Sequence, residues 1–401
     1  MTTFHLNKYA DVLIWGLETA RASFDGKYKK GDIIYISYDL DGLKLVEVLS
    51  RKLLEKGLHV QTKMLGTPKM EFDFCDLANN DQLKFLPPWS KKLYSHLSGS
   101  IVISAPASLT HLAGVDPKKF TLPSLARKPL RDIMDKNEEK GKFGWTLCVM
   151  PTLALAKQAK MPLSEYSREI EKACYLDKPN PVEIWENLRK KSAFIKKWLD
   201  NLDVDYFHIE SKNINLKIKY GEKRQWLGIS GHNIPSFEIF TSPDWRGAEG
   251  IYYSNMPSFA NGNYIQGVKL WFKNGRVVKI KAQKGENLVK KRLAMDRGAG
   301  QIGEISFTDK RFSRITKFMA NGLYDENVGG KYGNCHLAVG HSFSDAYAGN
   351  RKKLTKKIKE RLGFNDSALH WDLINTENKK VTAYLKSGKK VVIYKNGMFT
   401  P

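Results

Sequence analysis

The chain has 401 residues, 42% of them hydrophobic, and a net charge of +24. Its length is enough for two domains with cores of their own, and no stretch approaches the roughly 20 apolar residues of a membrane span. The N-terminus lacks a secretory signal pattern, so we expect no membrane partner. The 4 cysteines are scattered without Cys-x-x-Cys spacing. This usage argues against disulfides or a thiolate zinc site and favours a cytoplasmic protein.

The positive charge makes nucleic acid and anionic surfaces candidate partners. The lysines, however, are distributed along the whole chain, and the densest basic run is residues 351–361. In this run the apolar residues Leu354, Ile358 and Leu362 recur at helical spacing, which favours a solvated helix with one buried stripe. No zinc finger, RNP-type aromatic motif or helix-turn-helix pattern accompanies it. A nucleic-acid partner therefore remains open but is not favoured.

Helical and strand-like patterns alternate in the first half of the chain. Helical spacing of apolar residues occurs in residues 6–22 and 43–58, and two further helices are predicted before residue 202. The strand-like runs are residues 31–38, 59–64, 99–104 and 145–150. This alternation predicts an α/β domain with a mostly parallel sheet and covering helices. No glycine-rich phosphate loop follows the first strand, so the sheet is interpreted as a scaffold.

The pattern changes after Asp205 to short, closely spaced strands. The Asn274-Gly275 pair predicts a hairpin over residues 268–280, and a second hairpin is predicted over residues 385–394. Predicted helices interrupt the strands at residues 286–296, 312–321 and 351–362. We therefore expect a second, α+β domain on a mainly antiparallel sheet, with residues 1–203 and 204–401 as the two domains.

Ionisable residues occur within apolar, strand-like runs of the second half. His370 and Asp372 are two positions apart, so they project from the same face of a strand. Glu238, Glu304 and His336 each lie in another such run. Burying these groups costs several kcal/mol unless each finds a partner. Carboxylates and imidazoles without a thiolate suit a pair of Zn²⁺, Co²⁺ or Mn²⁺ ions.

Each of these residues taken alone has a simpler explanation. A His–Asp hydrogen bond beside a strand is common, and Glu238 and Glu304 can pair with basic residues in a lysine-rich protein. His336 can be a hydrogen-bonded core histidine, and the neighbouring Cys335 a small buried hydrophobe. The metal centre is predicted by the set and by no single member of it.

A series of short motifs resembles the aminopeptidase T and aminopeptidase S type of metallopeptidase. In chain order these motifs are His232–Pro243, Glu249-Gly250, Gly303–Ile305, Leu323–Asn327, Cys335–Gly340 and His370–Asp372. The first half also fits, at Gly31–Ile36, Pro151-Thr152 and Trp185, so the resemblance covers nearly the whole chain. It implies an N-terminal α/β scaffold that also carries the dimer contacts, a C-terminal catalytic domain, and a homodimer that encloses the active sites.

The resemblance also implies which residues bind metal. The implied ligands of two divalent ions (Zn, Co or Mn) are Glu238, Glu304, His336, His370 and Asp372. Glu238 is expected to bridge the ions, whereas Glu304 is expected to act as a ligand or as the general base. The expected reaction is hydrolysis of the N-terminal residue from peptides with a free N-terminus, by water activated between the ions.

Further residues are expected beside the centre. Glu249, Asp325 and Glu326 are candidates to support the ligands, with a capping or salt-bridge role as the simpler explanation of each. His232 is interpreted as a surface or hydrogen-bonded histidine. The family usually has a tyrosine seven residues after the ligand histidine, where this chain has Phe343. Tyr347 is a candidate to supply the missing phenol.

Two other functions stay open from the sequence. One is a catalytically impaired homologue, or a basic protein that binds nucleic acid or an anionic surface on the same fold. The other is a dinuclear metallohydrolase that acts on another amide or ester.

Overall fold

The computed structural model describes residues 1–23, 25–116, 118–260 and 262–401. The helices are α1 (Thr3–Ala22), α2 (Leu43–Glu55), α3 (Pro68–Leu77), α4 (Asn80–Lys84), α5 (Ser90–His96), α6 (Lys118–Glu139), α7 (Leu153–Gln158), α8 (Leu163–Ala173), α9 (Pro181–Asp200), α10 (Glu286–Leu293), α11 (Gly322–Asp325) and α12 (Lys356–Leu362). Within these ranges, no helix combines the length and the apolar character that crossing a bilayer requires.

The strands form one parallel sheet and several antiparallel ones. They are β1 (Ile33–Tyr38), β2 (His59–Met64), β3 (Gly99–Ser104), β4 (Gly144–Val149), β5 (Val204–Ser211), β6 (Asn215–Lys219), β7 (Asn233–Ile234), β8 (Glu238–Thr241), β9 (Glu249–Ser254), β10 (Ser258–Ala260), β11 (Asn263–Ile265), β12 (Val268–Lys273), β13 (Arg276–Lys281), β14 (Ile302–Thr308), β15 (Asn334–Gly340), β16 (His370–Asn375), β17 (Lys379–Leu385), β18 (Lys390–Lys395) and β19 (Met398–Phe399).

The parallel sheet has the order β2-β1-β3-β4-β7. The four strands predicted from the first half supply β1 to β4, and the helix α1 packs its apolar face, including Tyr9 and Leu13, into the core beneath them. The fifth strand, β7, comes from the second half and pairs with Leu147 and Cys148. The approach to β7 passes so close to α1 that a Cβ added to Gly16 would lie 2.8 Å from the Gly231 carbonyl oxygen. Glycine is therefore required at this crossing.

The remaining large sheets are antiparallel, as predicted. One has eight strands in the order β13-β12-β9-β6-β5-β17-β18-β19, and the other has four in the order β16-β15-β14-β8. Both predicted hairpins form, as β12–β13 and β17–β18. Asn274 and Gly275 have φ angles of 49° and 74°, which are the positive values of a type I′ turn.

The helix predicted over residues 312–321 is wrong. This segment is irregular, because its polar backbone groups find partners in the following loop. Asp325 accepts the backbone N–H groups of Met319 and Asn321, and the Ser313 hydroxyl donates to the Asn327 carbonyl. The predicted helix at 351–362 is shorter than expected, since α12 begins only after Thr355, which caps it.

A continuous core joins the two halves of the chain. The Trp185 ring of α9 stacks on Phe237 with ring centroids 5.3 Å apart. The Tyr166 hydroxyl of α8 donates to the Met319 carbonyl at 2.8 Å. All strands of the antiparallel sheets come after α9 in the chain. The pairing of β7 with β4 and this shared core join them to the parallel sheet.

Candidate metal centre

The four-stranded sheet places all five predicted ligands on one face. Its strand register sets Thr308 beside Glu238, Ser306 beside His336, and Ala338 beside both Glu304 and Asp372. Side chains two positions apart in a strand share a face, and paired residues on neighbouring strands do so as well. The face therefore carries Glu238 on β8, Glu304 on β14, His336 on β15, and His370 and Asp372 on β16.

Small residues alternate with the ionisable ones on this face. Ser306, Ala338 and Gly340 occupy neighbouring positions of the same register, and they leave space above the sheet between the larger side chains. Gly340 cannot be enlarged, because a Cβ there would lie 2.0 Å from the Leu369 carbonyl oxygen. The sheet thus provides a depression surrounded by carboxylates and imidazoles.

The donor atoms of this face converge into two overlapping groups. Glu238, Glu304 and His336 form one, and Glu304, His370 and Asp372 form the other, each with its ligand atoms within 4.8 Å of one another. His336 Nε2 lies 2.9 Å from Glu304 Oε1 and 3.6 Å from Glu238 Oε2. Glu304 belongs to both groups, whereas Glu238 belongs to one.

The charges of the centre are strongly perturbed without a cation. Burial raises the pKa of Glu238 to about 7. Burial opposes the charged form of His336, but the hydrogen bond to Glu304 and the negative charges of Glu238 and Asp372 together outweigh this effect and raise the pKa to about 9. In the same way, Asp372 overcomes burial and raises the pKa of His370 to about 9, whereas His370 lowers the pKa of Asp372 to about 2. The attraction between His370 and Asp372 therefore favours the charged forms of both.

The residues fit a pair of divalent cations. Asp372 Oδ1 is buried without a hydrogen-bond partner, 3.4 Å from His370 Nε2 and 3.7 Å from His336 Nε2. A buried carboxylate oxygen in this position is costly unless a cation compensates it. Oxygen and imidazole donors without a thiolate are the ligands that Zn²⁺, Co²⁺ and Mn²⁺ accept.

Neighbouring polar groups orient two of the candidate ligands. Asn327 Nδ2 donates to Glu238 Oε1 at 3.2 Å, and the Ser236 hydroxyl donates to the same oxygen at 3.3 Å. His370 Nδ1 donates to the His341 carbonyl at 3.0 Å, which leaves Nε2 directed at Asp372. The sequence placed Asn327 only within a motif and did not single out Ser236. Asn327 lies 89 residues after Glu238 in the chain, so no local pattern predicts their contact.

A cavity of about 740 Å³ opens over this face. Its far wall is α6, a helix that the sequence did not predict, and the residues of α6 that border the cavity include Arg131, Asp135 and Glu138. Phe343 also borders it, with its ring centroid 4.8 Å from that of His370. This volume lies in the range of small-ligand sites.

Two residues expected beside the centre lie elsewhere. Tyr347 is buried in a separate small cluster, where its ring centroid lies 6.4 Å from that of Phe364. Glu249 is exposed at the start of β9 and accepts the backbone N–H of Asn274. Both side chains are directed to these partners, so neither borders the cavity. Tyr347 does not replace the phenol that Phe343 lacks.

The other candidate supports divide between the cavity and the loop beside it. Glu326 borders the cavity, and burial raises its pKa well above the usual value. Asp325 instead binds the backbone of the preceding loop. His232 is a buried, hydrogen-bonded histidine, 2.8 Å from the Ser230 hydroxyl and 2.7 Å from Glu138 Oε1.

The fold and the carboxylate–imidazole face together define a metal-dependent hydrolase. Residues 2–399 match the thermophilic metalloprotease (M29) family. The chain belongs to this family, and the resemblance inferred from its motifs is confirmed.

Curated relatives and a solved structure agree with this assignment. Aminopeptidase AmpS of Bacillus subtilis is 27% identical over 92% of this chain and 94% of its own. Aminopeptidase T of Thermus aquaticus is 24% identical over 98% of each chain. The structure of wild-type AmpT from Thermus thermophilus superposes with a TM-score of 0.76, at 19% identity, over 98% of this chain and 99% of that one. The predicted fold class is thereby confirmed.

Proposed function

We propose that this protein is a metal-dependent aminopeptidase that removes N-terminal residues from peptides. The observation that carries the proposal is the pair of overlapping donor groups, joined by Glu304, at the floor of the cavity. Membership of a metalloprotease family supports the peptidase chemistry. The relatives, which are named aminopeptidases, support a substrate with a free N-terminus.

We assign one divalent ion to Glu238, Glu304 and His336, and a second to Glu304, His370 and Asp372. Such a pair supplies an activated water and a polarised carbonyl at neutral pH. Glu238 and Glu304 are the carboxylates on which catalysis depends. Glu304 holds both halves of the centre together, while Asn327 and Ser236 hold the Glu238 carboxylate in place.

The larger organisation is part of the same proposal. Residues 1–203 form the scaffold with the dimer contacts, residues 204–401 form the catalytic domain, and the enzyme is a cytoplasmic homodimer with two Zn²⁺, Co²⁺ or Mn²⁺ ions per chain. The scattered, buried cysteines support a reducing compartment. Light scattering of the purified protein tests the dimer, and elemental analysis tests the metal.

Hydrolysis of leucyl-p-nitroanilide with each added metal tests the activity. We expect turnover that a chelator abolishes and that one of the three metals restores. Absence of turnover with all three metals would refute the aminopeptidase proposal. If the inactive protein were also retained on DNA in a salt-sensitive manner, the basic binding protein would take its place.

A further inference from the structure

An arginine without a counter-ion borders the cavity. Arg292, near the end of α10, lies over the ring of Trp371, with its Cζ atom 4.7 Å from the ring centroid. Its Nε is buried and has no hydrogen-bond partner among the described residues, and no carboxylate of those residues forms an ion pair with its guanidinium. Burial lowers its pKa to about 10, so the group is still charged at neutral pH.

A second arginine, on α6, borders the same cavity. Among the described residues, Arg131 donates to two backbone carbonyls, those of Ser367 at 3.5 Å and Ala368 at 3.3 Å. Asp135, one turn further along α6, lies close enough for the charge of Arg131 to lower its pKa against the larger effect of burial, so the charge of Arg131 is partly balanced. Arg292 has no such carboxylate among the described residues.

Arg292 is half-buried, and the two fully buried arginines of the described chain have partners. Arg21 forms an ion pair with Asp32 at 2.6 Å, and Arg224 donates to the carbonyls of Glu222, Ser242 and Leu362. A desolvated cation without such partners is costly, and a site that keeps one open is suited to bind an anion. The planar guanidinium matches the two oxygens of a carboxylate.

We infer that Arg292 binds a carboxylate of the substrate, namely the C-terminal carboxylate of a di- or tripeptide. This inference rests on the proposed function, because it places the peptide's N-terminus at the donor groups. Trp371, whose ring Arg292 covers, projects from the face of β16 opposite to that of His370 and Asp372. The guanidinium nevertheless borders the same cavity as these two side chains, and each peptide residue that lies in it spans at most about 3.5 Å.

The test compares Leu-Gly-Gly with its C-terminal amide. For the wild-type enzyme we expect kcat/KM to be about tenfold to a hundredfold higher for the acid, the usual value of a charge-assisted hydrogen bond. In Arg292→Met the ratio of acid to amide should fall toward about one, whereas Arg292→Lys should retain part of it. Because a ratio is measured, a general loss of activity in a variant does not affect the conclusion.

The matched control is Arg276→Met. Arg276 also lies over an indole ring, that of Trp245 at 5.2 Å, but it does not border the cavity. This variant should keep the wild-type ratio. Equal cleavage of acid and amide by the wild-type enzyme, or an undiminished ratio in Arg292→Met, would overturn the inference.

Two further measurements identify which carboxylate the site recognises and whether it binds one without turnover. Leu-Asp-amide carries its carboxylate on a side chain. If the wild-type enzyme cleaves it at the same rate as Leu-Gly-Gly, and Arg292→Met cleaves it more slowly, the site recognises a side-chain carboxylate. This result would overturn the C-terminal assignment. Calorimetric binding of Gly-Gly and Gly-Gly-amide to the metal-free protein tests the site without turnover. Selective binding of the acid by a protein that hydrolyses nothing would support the carboxylate site and refute the proposed function.

Discussion

At the scale of single residues, the centre depends most on Glu304. This carboxylate contributes to both donor groups, whereas Glu238 contributes to one. Glu304→Gln should therefore reduce the bound metal from about two equivalents to fewer than one, and Glu238→Gln should leave about one. Elemental analysis after dialysis measures the difference, with the exposed Glu249→Gln as the control. Equal losses in the two centre variants would contradict the shared role of Glu304.

The raised pKa values of His336 and His370 predict that metal affinity depends on pH. Below about pH 9, His336 and His370 each carry an additional proton in the metal-free protein, and this proton must leave before the nitrogen binds a cation. Zn²⁺ affinity should therefore fall as the pH is lowered from 9 to 6, with release of up to about two protons per centre. Calorimetry in two buffers of different ionisation enthalpy counts these protons. The exposed His59→Ala variant should not change the count, whereas His336→Ala should lower it.

Phe343 lacks the phenol hydroxyl of the tyrosine that the family usually has at this position. Its ring borders the cavity beside His370, so a hydroxyl added to it would enter the cavity. We expect Phe343→Tyr to raise kcat by about tenfold to a hundredfold, since a hydrogen-bond donor at a developing oxyanion is worth this much. Phe343→Leu should give no gain. If both variants turn over at the wild-type rate, the missing phenol does not limit this enzyme.

At the scale of elements, the loop after α11 holds β8 in place. Asn327 accepts the Phe237 N–H and donates to Glu238 and to the Leu323 carbonyl, and it is fully buried. Asn327→Ala leaves these buried groups without partners and should lower the free energy of unfolding by about 1–3 kcal/mol. Urea denaturation measures this change. The exposed Asn287→Ala in α10 is the control and should lie within about 0.5 kcal/mol of wild type.

At the scale of the whole molecule, the two halves share one core. The Trp185–Phe237 stack and the pairing of β7 with β4 cross between them. We expect one cooperative unfolding transition, seen at the same denaturant concentration by fluorescence and by far-UV circular dichroism. A fragment of residues 204–401 should not fold alone, because it would expose Phe237 and leave β7 unpaired. Two separate transitions would show independent domains instead.

The sequence predicted the fold wherever local pattern decides structure. Alternating apolar residues and the Asn274-Gly275 turn gave the hairpin correctly, because a period of two and positive φ angles are local properties. It failed at residues 312–321, where hydrogen bonds to Asp325 and Asn327 replace helical ones. The partners lie only 4 to 14 residues away, but they are polar side chains and loop carbonyls, which the apolar spacing that predicted a helix does not report.

The sequence by itself determined which side chains share a strand face, since His370 and Asp372 follow from spacing alone, and its motifs singled out Glu238, Glu304 and His336. Only the tertiary structure decided how these strands align, and therefore that Glu304 lies between the two donor groups. It also brought α6 and Arg292 to the same cavity. The register of the strands and the contacts between distant segments are fixed by packing across the whole core. For this reason, the position of the Arg292 charge in the cavity could not be predicted from the sequence.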